Sequence, residues 1–321
     1  MTMSTKRIAV IKGSSIGDAI LSFPLLRNIR ANFPEADITV ITGEASSGLD
    51  VLRSCPYINR VIHLPVHTLA GKVVSALRLA NLRLKSFDVV FDGAPVTKRS
   101  QQLAALLPAR RRASIRNYNL NRQLVDMDLS MLSDMGLKTD DGHLELFFNI
   151  PAARSDRRLV LLYLGRDVDH ERTWAAEHWA RAIETLAAKH PRLTFSLIGG
   201  GDNAGRAAAL LKLTTRPITD YTGKLTLTQT VRLLKTCRLL IATNGGPMQL
   251  AAAAGTPLVA LHGPSPDMWL PHGRRVINIH PLRRPPVSTI DPNALYADRR
   301  FSPETITPTR VVQAAERLLA R

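Results

Sequence analysis

Apolar runs of strand length alternate with helical patterns along the whole chain, and this alternation limits the fold more than any other feature of the sequence. The strand-like runs RIAVI (7–11), DITVIT (37–42), RVIHL (60–64) and FDVVFD (87–92) are continuous rather than alternating in polarity. Between them lie helical stretches such as DAILSFPLLRNIRANF (18–33), in which Pro24 predicts a bend, and TLAGKVVSALRLANLRL (68–84). Continuous apolar strands separated by helices imply an α/β fold, a parallel sheet covered on both faces.

The pattern weakens at NIPAARSDR (149–157), which reads as a linker, and then restarts. RLVLLYLG (158–165), LTFSLIGG (193–200), CRLLIAT (237–243) and PLVALHG (257–263) read as strands, with helices at 175–190, 227–236 and from Pro247. Residues 1–150 and 158–301 are therefore read as two doubly wound, Rossmann-like domains facing a cleft. Residues 302–321 are read as a closing amphipathic helix that starts at SPE. The 321 residues suffice for two such domains. Ligands of open α/β sheets bind beyond the carboxyl ends of the strands, so the chemistry is expected in strand-to-helix loops.

The first such loop is KGSSIGD (12–18). It is not a P-loop, because Asp18 stands where Lys-Ser/Thr would follow, and it lacks the glycines of the dinucleotide fingerprint. Asp18 has two compatible readings: a helix cap whose charge suits the dipole, and a base that accepts a proton from a hydroxyl. The loop TNGGPMQLAAAAG (243–255) places two glycines and Pro247 at a helix start, and its free N–H groups suit a diphosphate. A turn that merely packs tightly is the alternative. In LGRDVDHERTW (164–174) Arg166 and Arg172 offer planar forks for phosphate. LIGGGDN (197–203) and YTGKLTL (221–227), with Gly223 and Lys224, are further glycine-bearing turns.

Charge narrows the partners. Lys and Arg number 43 against 26 Asp and Glu, a formal +17, which attracts polyanions. From Gly93 to Val125 there are seven basic residues and no acid, either a solvated face or a landing surface. Aromatic residues make up only 5%, thin for a protein that stacks single-stranded bases, and no nucleic-acid reader motif occurs. Nor is there a zinc motif or a serine-hydrolase elbow, and the acidic pairs DMD (126–128) and DVD (167–169) are weak metal signals. Two distant cysteines, no signal peptide and no run of about 18–20 apolar residues suit the cytoplasm.

The blocks RIAVIKGSSIGDAILSFPLLRNIRANFPEADITVIT, FDVVFDG, RTWAAEHWARAI, YTGKLTLTQTVRLLKTCRLLIATNGGPMQLAAAAGTPLVALHGPSPD and PHG resemble the ADP-heptose:lipopolysaccharide heptosyltransferase family, in family order over residues 7 to about 273. The resemblance implies the GT-B architecture, with the acceptor mainly on the first domain, the nucleotide-sugar mainly on the second, and the final helix 302–321 packing back on the first domain. It implies inverting, metal-independent transfer of a heptose or related sugar from ADP-heptose to an anionic lipopolysaccharide inner core. No cofactor is implied, and the setting is the cytoplasm, peripheral to the inner membrane. Asp18 would be the catalytic base. Ser14, Ser15, Gly17, Gly165, Arg172, Gly200, Lys224, Asn244, Gly245, Gly246 and Gln249 would serve the donor, and Arg99, Arg116 and Arg122 the acceptor. One departure stands out: the family's Asp-Ser/Thr-Gly-x-x-His is here Asn244-Gly-Gly-Pro-Met-Gln249, without the acid or the histidine. That departure motivates an alternative, a member with altered donor or no catalysis that binds a nucleotide-sugar or anionic glycan. A nucleotide-dependent oxidoreductase is disfavoured by the missing fingerprint.

Overall fold

A computed structural model describes residues 6–43, 47–65, 67–93, 98–116, 118–119, 121–150, 154–168, 173–264, 267–283 and 301–320, with the backbone alone at 98–99. The chain divides into two compact units, Met1–Phe147 and Phe148–Arg321.

The first unit runs β1 (Arg7–Ile11), α1 (Ile16–Asn32), β2 (Asp37–Gly43), α2 (Leu49–Arg53), β3 (Arg60–Leu64), α3 (Leu69–Arg83), β4 (Phe87–Asp92), α4 (Lys98–Leu106), β5 (Ala109–Ser114) and α5 (Leu124–Ser133). Its strands form a parallel sheet in the order β3-β2-β1-β4-β5, with Ile8 beside both Ile38 and Val89. Burial follows position in the sheet. The central β1, β2 and β4 are buried nearly throughout, as strands covered on both faces must be, while the edges β3 and β5 stay largely open. β5, sequence ARRRAS, is therefore a strand at the sheet's edge, where charge discourages pairing with another chain. Three arginines of the basic 93–125 stretch thus have a structural reason, and Arg112 also donates to the Leu107 carbonyl at 2.6 Å. α1 runs through Pro24 without ending, starting two residues before the expected Asp18.

The second unit runs β6 (Asp156–Tyr163), α6 (Ala176–Lys189), β7 (Thr194–Leu197), α7 (Ala204–Leu211), β8 (Ile218–Asp220), α8 (Leu227–Thr236), β9 (Cys237–Thr243), α9 (Gly246–Ala253), β10 (Leu258–Leu261), β11 (Val276–Ile279) and α10 (Pro308–Leu319). Its parallel sheet has the order β11-β10-β9-β6-β7-β8. The expected start signal, Ser302-Pro303-Glu304, opens a short 3-10 turn; the helix proper begins at Pro308 after Thr307. α10 belongs to this second unit, where Val311, Val312, Ala314, Ala315 and Leu318 join the same core as Trp179, Ile183 and Ile241. Its apolar face is filled by α6 and the β9–β11 side of the second sheet.

In each sheet the strand order reverses once, between β1 and β4 in the first and between β6 and β9 in the second. Connections leave in opposite directions at such a point, and a crevice opens beyond the carboxyl ends of the two strands.

Candidate functional site

In the first unit the KGSSIGD turn leaves β1 at the reversal point. Ser15, not Asp18, is the N-cap of α1, and Asp18 is its third residue. The Asp18 N–H donates to Ser15 Oγ at 3.1 Å, and Ser15 Oγ donates back to Asp18 Oδ2 at 2.7 Å. The half-buried carboxylate is thus fixed over the positive end of the helix dipole. Glycine at 13 leaves room for it, since a Cβ there would stand 2.6 Å from Asp18 Oδ2. Ser14 faces inward, 1% exposed, and donates to the Gly43 carbonyl at 2.9 Å, while Gly48 N–H donates to the Ser14 carbonyl at 2.8 Å. Its observed contacts brace the turn against the end of β2. Gly17, half-buried, lies one residue before the carboxylate.

Beneath this turn lies an ion pair that the sequence reading did not identify. Lys12 and Asp128, both with fully buried side chains, meet at 2.5 Å, and Lys12 Nζ also donates to the Gly93 carbonyl just past β4. Burial pushes the Asp128 carboxyl up to about 6 against the pull of Lys12, and the charges of Asp18 and Asp92 push the same way. The second acid of DMD, considered above as a metal ligand, therefore partners a lysine. A lysine closing an otherwise apolar strand was the available signal; its partner 116 residues away was not readable.

In the second unit four loops meet beyond the carboxyl ends of β6, β7, β8 and β9. Gly165, after β6, has φ +88°, and a Cβ there would stand 2.9 Å from Thr243 Oγ1 and 2.8 Å from Thr173 Cγ2. Only glycine suits both the left-handed backbone and the crowding. The Asn203 amide donates to the Gly165 carbonyl, and Gly223, with φ +70°, comes so close to Gly201 that a Cβ on it would stand 3.2 Å from the Gly201 Cα. Gly200 caps the 3-10 turn Gly201–Asn203. Asp167, from the other acidic pair, receives the Gly205 and Arg206 N–H groups at 2.9 Å each and so caps α7. Lys224 donates to the Asp220 carbonyl at 2.7 Å, with its ammonium 3.7 Å from Asp220 Oδ2.

The Asn244-Gly245-Gly246 turn follows β9 at the reversal point, and Pro247 lies in the first turn of α9. Gly245 is extended, and its missing side chain accommodates Tyr163, whose ring a Cβ would strike at 2.6 Å. Packing thus explains this glycine, and the helix start still presents N–H groups that suit an anion. Asn244 is half-buried at the turn. Gln249 is 3% exposed and its amide donates to the Trp269 carbonyl at 2.6 Å, so the residue in the family's histidine position ties α9 to the 267–269 turn.

Arg172 lies outside the described residues, as does the side chain of Arg99. Just past Arg172, Trp174 is 2% exposed, packs edge-on against Trp179 and donates its indole N–H to the Ile306 carbonyl at 2.8 Å. Arg116 and Arg122 are exposed, with Arg116 3.8 Å from Asp134. The structure thus gathers Ser14, Ser15, Gly17 and Asp18 in one turn of the first unit. It gathers Gly165, Gly200, Lys224, Asn244 and Gly245 in the loops at one end of the second sheet, with Gly246 and Gln249 at the start of α9 beside them.

The sequence profile of glycosyltransferase family 9 (heptosyltransferase) matches residues 99–289. The chain is 26% identical to lipopolysaccharide heptosyltransferase 2 of Salmonella typhimurium over 98% of its own length and 99% of that protein. Its fold resembles the family 9 glycosyl transferase of Veillonella parvula with a TM-score of 0.80, at 21% identity over 100% of this chain and 99% of that one. The Escherichia coli heptosyltransferase WaaC with ADP gives a TM-score of 0.72 at 17% identity, over 97% and 99%. Those two folds match the two parallel-sheet α/β units described above.

Proposed function

The chain belongs to glycosyltransferase family 9, the heptosyltransferases, and on that premise we propose that it moves a heptose from ADP-heptose to a hydroxyl of a lipopolysaccharide inner core, with inversion. Asp18 carries the reading: a carboxylate fixed by Ser15 at the reversal point of the first sheet. As the acceptor oxygen attacks the anomeric carbon, Asp18 takes its proton. The bond from that carbon to the diphosphate oxygen breaks, and its electron pair leaves with ADP. N–H groups at the start of α9 and the Arg172 guanidinium receive the departing charge. Gly165, Gly200, Lys224 and Asn244 line the nucleotide side, and Ser14, Gly17 and Gln249 shape the two turns. Arg99, Arg116 and Arg122 attract the phosphates and carboxylates of the acceptor.

A relative that acts on lipopolysaccharide supports the acceptor class, and a structural neighbour solved with ADP supports the leaving group. Among the described residues no helix is long and apolar enough to cross a membrane. We assign the work to the cytoplasmic face of the leaflet that carries the acceptor, with the chain bound peripherally.

Asp18→Asn keeps an acceptor for the Ser15 hydroxyl and removes the base. Transfer is expected to fall by about a hundredfold or more, with ADP affinity by calorimetry changed less than about twofold. Transfer that persists in this variant places the base elsewhere. The Asn244 and Gln249 departures favour a second reading, a binding module for nucleotide-sugar or anionic glycan. Wild-type protein that binds ADP-heptose but yields no product establishes that second reading.

A further inference from the structure

α3 packs Leu79 and Leu82 on its own domain but turns four other large apolar side chains away from it. A helix lying on a sheet ordinarily buries its bulky apolar residues, yet α3 buries Gly71, Ser75 and Leu82. A Cβ on Gly71 would stand 2.9 Å from the Pro65 carbonyl oxygen, and Ser75 Oγ donates to that same oxygen at 2.6 Å. Small residues thus let the helix settle close to the chain leaving β3. The bulk points outward: Leu69 is 81% exposed, Val73 55%, Leu77 67% and Leu84 87%. At 3.6 residues per turn these four make one stripe, on the face opposite Gly71 and Ser75. Exposed Lys72 and Arg83 border the stripe on one side; Arg78 and, past the helix end, half-buried Lys85 border it on the other. No Asp or Glu occurs between Leu64 and Phe87.

We propose that this face of α3 lies in the surface of an anionic lipid leaflet. Its leucines and valine enter the boundary between headgroups and acyl chains, and its lysine and arginine side chains reach the phosphates. The charge arrangement selects the occupant. A basic rim without an acid on either side of an apolar stripe matches a surface of uniform negative charge over an apolar interior, whereas a second copy would set like charge against like. The inference rests on the lipid-borne acceptor proposed above for its biological setting, and on the geometry of α3 for its physics.

Co-sedimentation of the full chain with phosphatidylethanolamine–phosphatidylglycerol vesicles, and with phosphatidylcholine vesicles as control, tests it. The Leu69→Gln/Val73→Ser/Leu77→Gln variant removes three of the stripe's four residues without touching a buried one, and its thermal melting reports that the fold is kept. Wild-type protein is expected on the anionic vesicles, the triple variant at least about tenfold less, and Lys72→Glu/Arg83→Glu without preference for anionic lipid. A polarity-sensitive dye on Leu77→Cys, specific because Cys55 and Cys237 are buried, is expected to brighten on insertion. Binding that survives the triple variant, or a dye that stays in water, overturns the proposal, because net positive charge then accounts for adsorption. A concentration-dependent dimer that the triple variant abolishes, with no vesicle binding by the wild type, overturns it in favour of a second copy. Donor binding does not enter the readout, so this proposal and the transferase reading fail separately.

Discussion

The Lys12 ammonium has no access to water, and among the described residues its partners are Asp128 and the Gly93 carbonyl. Removing one member of such a pair strands the other. Lys12→Met is expected to destabilise the first unit by about 3–5 kcal/mol in urea unfolding, whereas Lys12→Met/Asp128→Leu recovers most of that loss. The same variant loosens the anchor beneath the Ser14–Asp18 turn, so transfer falls along with stability. Gly165 is a second residue with little freedom to change. Gly165→Ala places a Cβ between Thr173 and Thr243 at a left-handed backbone and is expected to cost about 1–3 kcal/mol or more, with weaker ADP binding by calorimetry. The sequence shows why such residues are only partly legible. Asp18 announces itself because a strand, small residues and an acid follow one another directly. The reason for Gly245 does not, since it is the ring of Tyr163, more than eighty positions earlier. Lys12 and Asp128 likewise acquire meaning only through each other.

Elements with a clear apolar pattern were legible nearly to the residue: α8, patterned as an amphipathic helix, and β9, a continuous apolar run, fall where the pattern places them. Of the edge strands β3 was legible too, but β5, β8 and β11 were not: β8 and β11 are only three and four residues long, and in β5 arginines replace the apolar signature. α7 was hidden behind the glycines that precede it. How elements are held together was also out of reach. The outer face of α1 is tied to the segment 140–145 by Arg27, 2.5 Å from Asp140 and 3.0 Å from Glu145. Against the upward push of burial, Arg27 and Asn28 hold the Asp140 carboxyl well below the usual carboxylate range. His143 in the same segment is raised above the ordinary histidine value, first by its hydrogen bond with Asp141 and then by Glu145. A raised histidine stabilises the fold below its unfolded pKa, and that contribution is lost as pH rises through the folded value. The stability lost in His143→Ala is therefore expected to be larger at about pH 5.5 than at about pH 8, measured by urea unfolding. An equal loss at both values would remove the protonated histidine from this contact.

At the scale of the molecule, each unit has a sheet with one reversal point and an apolar core drawn from its own residues. Residues 148–321 expressed alone are therefore expected to fold and to bind ADP with affinity within about tenfold of the full chain, which calorimetry on the fragment checks. The two-unit plan was legible because the βα alternation lapses and restarts near 149–157. The station of the last helix was not, since an amphipathic stripe says that something covers it without saying what. One bond gives that helix's neighbourhood a wider meaning. The indole of Trp174, two residues after Arg172, is fastened to the Ile306 carbonyl, and Ile306 is wholly buried just ahead of α10. The tail is thus the mooring of a loop that sits more than a hundred residues upstream. Trimming the chain after Phe301 would cast off Trp174 and, with Arg172 in the phosphate role proposed above, weaken ADP capture from a distance, leaving Asp18 and its turn untouched.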